Sequence, residues 1–269
     1  MTLETGLAVA AVTAIGKIKE DSLLGLMYRD LAQPSVQALG KALGTVFEFG
    51  MTPLQLMKYG SEVAQMNFKK HIENYQTKLN AIPEEEQIPV NPQFGIPLIN
   101  KLTYTTNEEI ADLFTSLLTK ASSNQTVNMA HPAFIQIIER LTVDEARIIK
   151  YFKHKEFIPS ATFRAYYLEN DGFVENLKNS TLIKYENDLL FPENVVMYLE
   201  NLVSLGILND SHGLTKINEV LYKPIYEKNH FEIYKETFMK GGKFKKVEFN
   251  NSYYNITDFG RSFINACAS

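Results

Sequence analysis

Along the first half of the chain apolar residues return at spacings of three and four, the period of an amphipathic helix. Within the stretch 31–57, whose only charges are Lys41 and Glu48, Val36, Leu39, Leu43, Val46 and Phe47 share one such face. The shorter apolar run from Leu7 to Ile15 reads as a buried helix. Pro53 suits the first turn of a further helix, whose stripe is Ala64, Phe68, Ile72, Tyr75 and Leu79. Pro83, Glu84, Glu85, Glu86, Pro89, Pro92 and Pro97 then spell a polar connector, and the helical period resumes at Leu98. Thr106 or Asn107 caps a helix with Glu108 and Glu109 in its first turn and Ile110, Leu113, Phe114, Leu117, Leu118 and Ala121 on its buried face. Ser122-Ser123-Asn124 ends it. His131-Pro132 opens a short helix carrying Phe134, Ile137, Ile138 and Leu141. Thr142-Val143-Asp144-Glu145 is a capping box for the next, with Ala146, Ile149 and Phe152 inward.

The last part follows a different pattern. A helix beginning near Pro192 carries Val195, Val196, Leu199, Leu202 and Val203 and stops at Gly206, after which Ile207-Leu208 reads as a short strand. Lys243 to Phe249 and Ser252 to Ile256 are predicted strands around a turn at Asn250-Asn251, and Thr257-Asp258 caps a terminal helix through Phe259, Phe263 and Ile264. This order is winged-helix-like, with residues 210–240 as a helical insertion. The expected fold is mainly α: a helical N-terminal region (1–90), a central helical region (91–141), and a winged-helix-like α+β C-terminal domain with a small β-hairpin (142–269).

The composition, 45% hydrophobic and 22% charged over 269 residues, is that of a globular protein and excludes disordered, collagen-like and disulfide-scaffold classes. A formal charge of −4 supplies no bulk positive field for nucleic acid or membrane. Residues 142–269 hold 16 Lys plus Arg against 17 Asp plus Glu, and the helix that would read DNA carries Glu193 and Glu200. The basic cluster is Lys240, Lys243, Lys245 and Lys246. It reads either as a phosphate contact or as a charged edge that resists strand-to-strand aggregation. The single cysteine, Cys267, allows no internal disulfide and fits a reducing cytoplasm. The start of the chain lacks the basic segment of a secretion signal, and its apolar run is about half the roughly 20 residues of a membrane span. Gly40 and Gly44 form a small-residue pair in the low-charge stretch 31–57, which gives that stretch two readings: a tightly packed core helix, or peripheral membrane attachment.

Catalytic patterns are sparse. The histidines at 71, 131, 154, 212 and 230 have no metal-binding spacing, so neither a metal nor a cofactor is expected, and no phosphate loop, dinucleotide fingerprint or nucleophile elbow is present. Arg147 and His154 have six residues between them, a spacing similar to that of helical ribonucleases among defence proteins. Two helical turns account for the same spacing, and Ile148 departs from the polar residue those enzymes carry after the arginine. Asn107, Glu108, Glu109 and His131 read as helix-start residues and stand as candidate binding positions.

Three stretches together carry a family likeness: Leu39 to Pro53 (LGKALGTVFEFGMTP), Lys101 to Phe114 (KLTYTTNEEIADLF), and Val127 to Phe134 (VNMAHPAF) continuing to Leu141-Thr-Val-Asp-Glu-Ala-Arg147. The chain resembles the abortive-infection alpha family, bacterial proteins linked to phage resistance, from about residue 30 to 155 with a continuation through the C-terminal end. The resemblance implies a role in stopping phage multiplication at the expense of the infected cell. It implies no reaction, so a non-enzymatic mode is favoured, through a protein partner, a homo-oligomer or the membrane. The alternatives are a winged-helix nucleic-acid-binding regulator and a ribonuclease-type toxin using Arg147 and His154.

Overall fold

The computed structural model describes residues 40–44, 46 and 62–268. The expected helix at Leu7–Ile15, most of the 31–57 stretch and the helix start at Pro53 lie outside these residues. The chain divides into two compact units, one ending at Arg140 and the other Leu141–Ala268.

In the first unit, α1 (Glu62–Leu79), α2 (Pro92–Tyr104), α3 (Glu108–Ala121) and α4 (Ala133–Glu139) pack together. The stripe read from sequence is the buried face of α1: Phe68, Ile72, Tyr75 and Leu79 are buried, and His71 joins them, its Nε2 2.9 Å from the Thr105 carbonyl oxygen. Polar ties fasten α1 to α3. The three N–H donors of the Lys78 ammonium are shared among Asp112 Oδ1 (2.7 Å), Asp112 O (3.1 Å), Thr115 Oγ1 (3.1 Å) and Ser116 Oγ (2.7 Å). Asn107 caps α3 as expected, its Oδ1 accepting from Ile110 N at 3.1 Å. The connector is shorter than its prolines suggest, because α2 begins at Pro92 rather than Leu98. Pro92 sits in the first turn, where its missing N–H costs nothing, and Asn91 caps that turn through Gln93 N. Described residues 40–44 and 46 are helical; Leu43 and Val46 are buried, and Val46 seats against Gly95, where an added Cβ would lie 2.5 Å from its methyl. At Gly40 and Gly44 an added Cβ would meet no described atom within 4 Å, so among the described residues the close approach falls on Gly95 instead.

The second unit opens with α5 (Val143–Phe152), whose capping box is formed as read: Glu145 N donates to Thr142 Oγ1 (3.2 Å) and Thr142 N to Glu145 Oε2 (2.6 Å). A hairpin of β1 (Phe157–Tyr167) and β2 (Phe173–Ser180) follows, then α6 (Ile183–Glu186), α7 (Val195–Ser204), β3 (Leu208–Asp210), α8 (Lys223–Lys228), α9 (Phe231–Lys240), β4 (Phe244–Ile256) and α10 (Asp258–Cys267). The strands form one antiparallel sheet in the order β2-β1-β4-β3. The predicted small hairpin is therefore replaced by this four-stranded sheet, and the unit is α+β. Asn250 and Asn251 make no turn, because β1 offers β4 an unbroken partner and pairs Thr162 and Ala161 with them. Asparagine favours turns only where no ladder competes. The 210–240 segment forms α8 and α9, and these cover one face of the sheet. Phe163 of β1 is fully buried against Phe231, Tyr234, Phe238 and Phe249, with ring centroids 5.0–6.3 Å away.

Asp144, buried at the start of α5, holds the loop before α7 by accepting from Leu190 N (2.7 Å), Phe191 N (2.9 Å) and the Tyr198 hydroxyl (3.0 Å). The junction read as Leu205-Gly206-Ile207 and Thr257-Asp258 closes on itself. Gly206 adopts φ +74°, which glycine tolerates, and Thr257 Oγ1 donates to its carbonyl at 2.6 Å while accepting from Gly260 N at 2.8 Å. Phe259 is exposed, and Phe263 and Ile264 are buried.

A Cβ on Gly260 would lie 2.1 Å from the Ile207 carbonyl oxygen. Gly260→Ala is therefore expected to lower stability by about 3 kcal/mol, the upper end for an overpacked site, read as a lower urea midpoint at unchanged slope.

Candidate functional site

The alternation of β1 divides its side chains between two faces. Ala161, Phe163 and Ala165 turn to the helices, and Arg164 and Tyr166 turn to the opposite face. Arg164 lies directly opposite Glu175 of β2 on one side and Glu248 of β4 on the other, and Tyr166 lies between Phe173 and Lys246. Arg164 Nη2 donates to Glu175 Oε1 at 2.6 Å, and its guanidinium sits 4.2 Å over the Phe173 ring. Its Nε is buried without a hydrogen-bond partner. An open cleft of about 510 Å³ is lined by Arg164, Tyr166, Glu248, Phe249, Asn250 and Asn251 from the sheet and by Glu219 and Tyr226 from the segment facing it. The Tyr226 hydroxyl donates to Asn251 Oδ1 at 2.6 Å and its ring lies 4.7 Å from Phe249.

The electrostatics suit binding rather than proton transfer. Arg164 holds the Glu175 carboxyl below its ordinary range, and Lys246, which pairs with Glu248, does the same for that carboxyl. Both are therefore carboxylates at neutral pH. Burial pushes the Tyr226 phenol up, so it stays protonated. The cleft thus offers the ionised Glu248 carboxylate, amides and aromatic faces.

The positions read from sequence fall elsewhere or serve the framework. Arg147 lies on α5 and donates to the Asp188 carbonyl, whereas His154 lies exposed in the turn after α5 ends at Phe152. The helix stops before the second turn would bring His154 onto the Arg147 face. Asn107 is the cap of α3, Glu108 pairs with Lys70 at 2.5 Å, and Glu109 follows in the same turn. His131 Nδ1 accepts from Ala133 N at 3.1 Å at the start of α4. Lys240 lies 3.4 Å from Glu236, Lys245 lies 3.2 Å from Asp171, Lys246 pairs with Glu248, and the Lys243 carbonyl accepts from Leu168 N. Cys267 is buried, and desolvation pushes its thiol well up. Among the described residues no cluster of His, Cys, Asp or Glu could hold a metal ion, and no helix is long and apolar enough to cross a membrane.

The cleft residues on β1, Arg164 and Tyr166, and the β1–β2 hairpin that carries them escape a helix-centred reading. Their signal is present: Ser160, Thr162, Arg164 and Tyr166 alternate with Ala161, Phe163 and Ala165, and Asn170-Asp171-Gly172 is a hairpin turn. Pro159 argues against a strand, but its nitrogen faces away from β4 and beyond the end of β2, where no donor is needed.

The model of the family described as abortive infection alpha (Abi_alpha) matches residues 62–267, more than half of the chain. The chain belongs to the abortive infection alpha family. The match begins after the Leu39–Pro53 stretch and takes in Lys101–Phe114, Val127–Arg147 and the whole sheet, so the continuation through the C-terminal end belongs to the matched part. No curated protein matches this family member by sequence. Among solved structures it is similar to an uncharacterized protein from the hydrocarbon-degrading marine bacterium Alcanivorax borkumensis SK2, at 14% identity over 55% of this chain and 99% of that one. At a TM-score of 0.31 that likeness carries no argument.

Arg164→Met leaves Glu175 and Glu248 without the cation between them, and is expected to cost about 1 kcal/mol, two cross-strand pairs at up to ~1 kcal/mol each less screening. A carboxyl held low in the folded state stabilises above its ordinary value of 4.5, and that contribution is lost as pH falls through the lowered value. Urea unfolding from pH 7 downward should therefore show a smaller acid-side loss in Arg164→Met than in the parent.

Proposed function

We propose that this chain is a phage-defence protein of the abortive-infection type that works in the cytoplasm through protein contacts of its Leu141–Ala268 unit. The observation that carries the reading is the abortive infection alpha match across 62–267. Protein contact is favoured by the cleft, where Glu248 is held ionised and whose rings and amides suit a polypeptide. The nucleic-acid reading rests on the lysine cluster and the winged-helix-like order of α7, β3, β4 and α10. Three of those four lysines pair with carboxylates, which weakens the field a phosphate backbone requires. Attachment to a membrane would fall to residues 31–57.

In a bacterial host expressing the full chain, plaque number on a phage panel should fall relative to empty vector, and infected cells should die at high multiplicity while the culture survives at low multiplicity. Unchanged plating across the panel would remove the defence reading. Retarded migration of duplex DNA by the purified chain at low salt would favour the regulator instead.

A further inference from the structure

β4 is paired along one side and largely open along the other. β1 runs beside it from Asn255 to Lys246 without a shift in register, whereas β3 covers only Tyr254–Ile256, extended by Ser211 N donating to Tyr253 O at 3.0 Å. Those bonds fix which way each residue faces. Tyr253 turns its backbone to β3, while Ile256 N donates to Glu156 O on the β1 side at 3.4 Å. In an antiparallel ladder the direction alternates residue by residue. Val247, Phe249 and Asn251 therefore turn their amide and carbonyl groups outward, away from β1. Among the described residues none of the three has a backbone partner on that side, and all three are only partly buried.

This open edge borders the cleft. Residues Glu248 to Asn251 line it from the strand, and Glu219 and Tyr226 line it from the segment across. Consecutive outward residues are about 6.8 Å apart, so the open row matches roughly five residues of an extended chain. The charges select among such chains. Arg164 is held by Glu175, and Lys246 is held by Glu248, but Glu219 has no cationic partner among the described residues. The rings of Tyr226 and Phe249 add faces that attract a cation. Lys245, which precedes the open row, is neutralised by Asp171.

We propose that the outer edge of β4 takes up an extended, basic segment of a partner protein as an added strand, its backbone pairing with Val247, Phe249 and Asn251 and a Lys or Arg side chain meeting Glu219. This rests on the protein-contact reading above and names the partner's chemistry.

The test uses the full chain with a short synthetic peptide of alternating Thr and Lys, a Thr–Glu counterpart, and a Thr–Lys version N-methylated at alternate residues. The expected result is saturable binding of the Thr–Lys peptide that slows amide exchange at Val247, Phe249 and Asn251, with neither of the other peptides doing so. Val247→Pro removes an outward-facing amide and no donor of the β1–β4 ladder, but it also takes the Val247 side chain from the Phe163 core, so a thermal midpoint a few degrees lower is expected; compared at a temperature where circular dichroism shows both chains folded, it should weaken binding about tenfold. Equal binding of the Thr–Glu peptide, or protection elsewhere than these amides, would overturn the proposal. So would a dimer in light scattering that Val247→Pro returns to monomer, since a second copy would then fill the edge. Absence of peptide binding alongside intact phage protection would remove strand addition alone; loss of protection in the parent chain would remove the defence reading independently.

Discussion

The Leu141–Ala268 unit depends on one interaction, the antiparallel ladder between β1 and β4. Every other part is placed by it. The ladder gives β1 an apolar face, from Ala161 through Phe163 to Ala165, and α8 and α9 fold back from the chain between β3 and β4 to cover that face. Burying an aromatic side chain contributes about 1.5–3 kcal/mol, so Phe163 with Phe231 and the rings around them outweigh the individual surface ion pairs. The same ladder sets Arg164 between Glu175 and Glu248 on the other face, which creates the cleft. A 13-residue β4 beside a three-residue β3 leaves an edge unpaired, so the feature open to a partner follows from the inequality of two strand lengths.

The first unit is held differently. There the fixed point is the Lys78 ammonium, whose three N–H donors sit among four acceptors on α3 and so set how α1 lies against it. Apolar burial along Phe68, Ile72, Tyr75 and Leu79 drives that packing but is indifferent to small rotations. The directional bonds of Lys78, and of Tyr75 to Ser122 at 2.6 Å, select one of them. Membership of the abortive infection alpha family spans most of this unit and all of the sheet, which ties the shared sequence to the architecture as a whole rather than to one motif.

Helices were legible in the sequence because their signals are local. Thr142 and Glu145 form their capping box, Asn107 caps α3, and Thr257 caps α10 from a few residues of spacing alone, since both partners lie within one turn. Even so, α2 begins earlier than the connector's prolines suggest, because proline in a first turn marks a start as readily as a break. The strands were harder. Asn250-Asn251 carries turn propensity, and only the presence of β1 opposite overrides it.

The sequence by itself determined the helical periods, the caps, the near-balanced charge of the C-terminal half and the family. The tertiary structure decided the sheet, the row Glu175–Arg164–Glu248, the pairing of Lys240, Lys245 and Lys246 with carboxylates, and the end of α5 at Phe152, which leaves His154 off the helix that carries Arg147. The reason is range. A helix satisfies its backbone within four residues and writes its rules into adjacent positions, whereas β1 and β4 find each other across some ninety residues of chain, and what faces what is settled only when they pair.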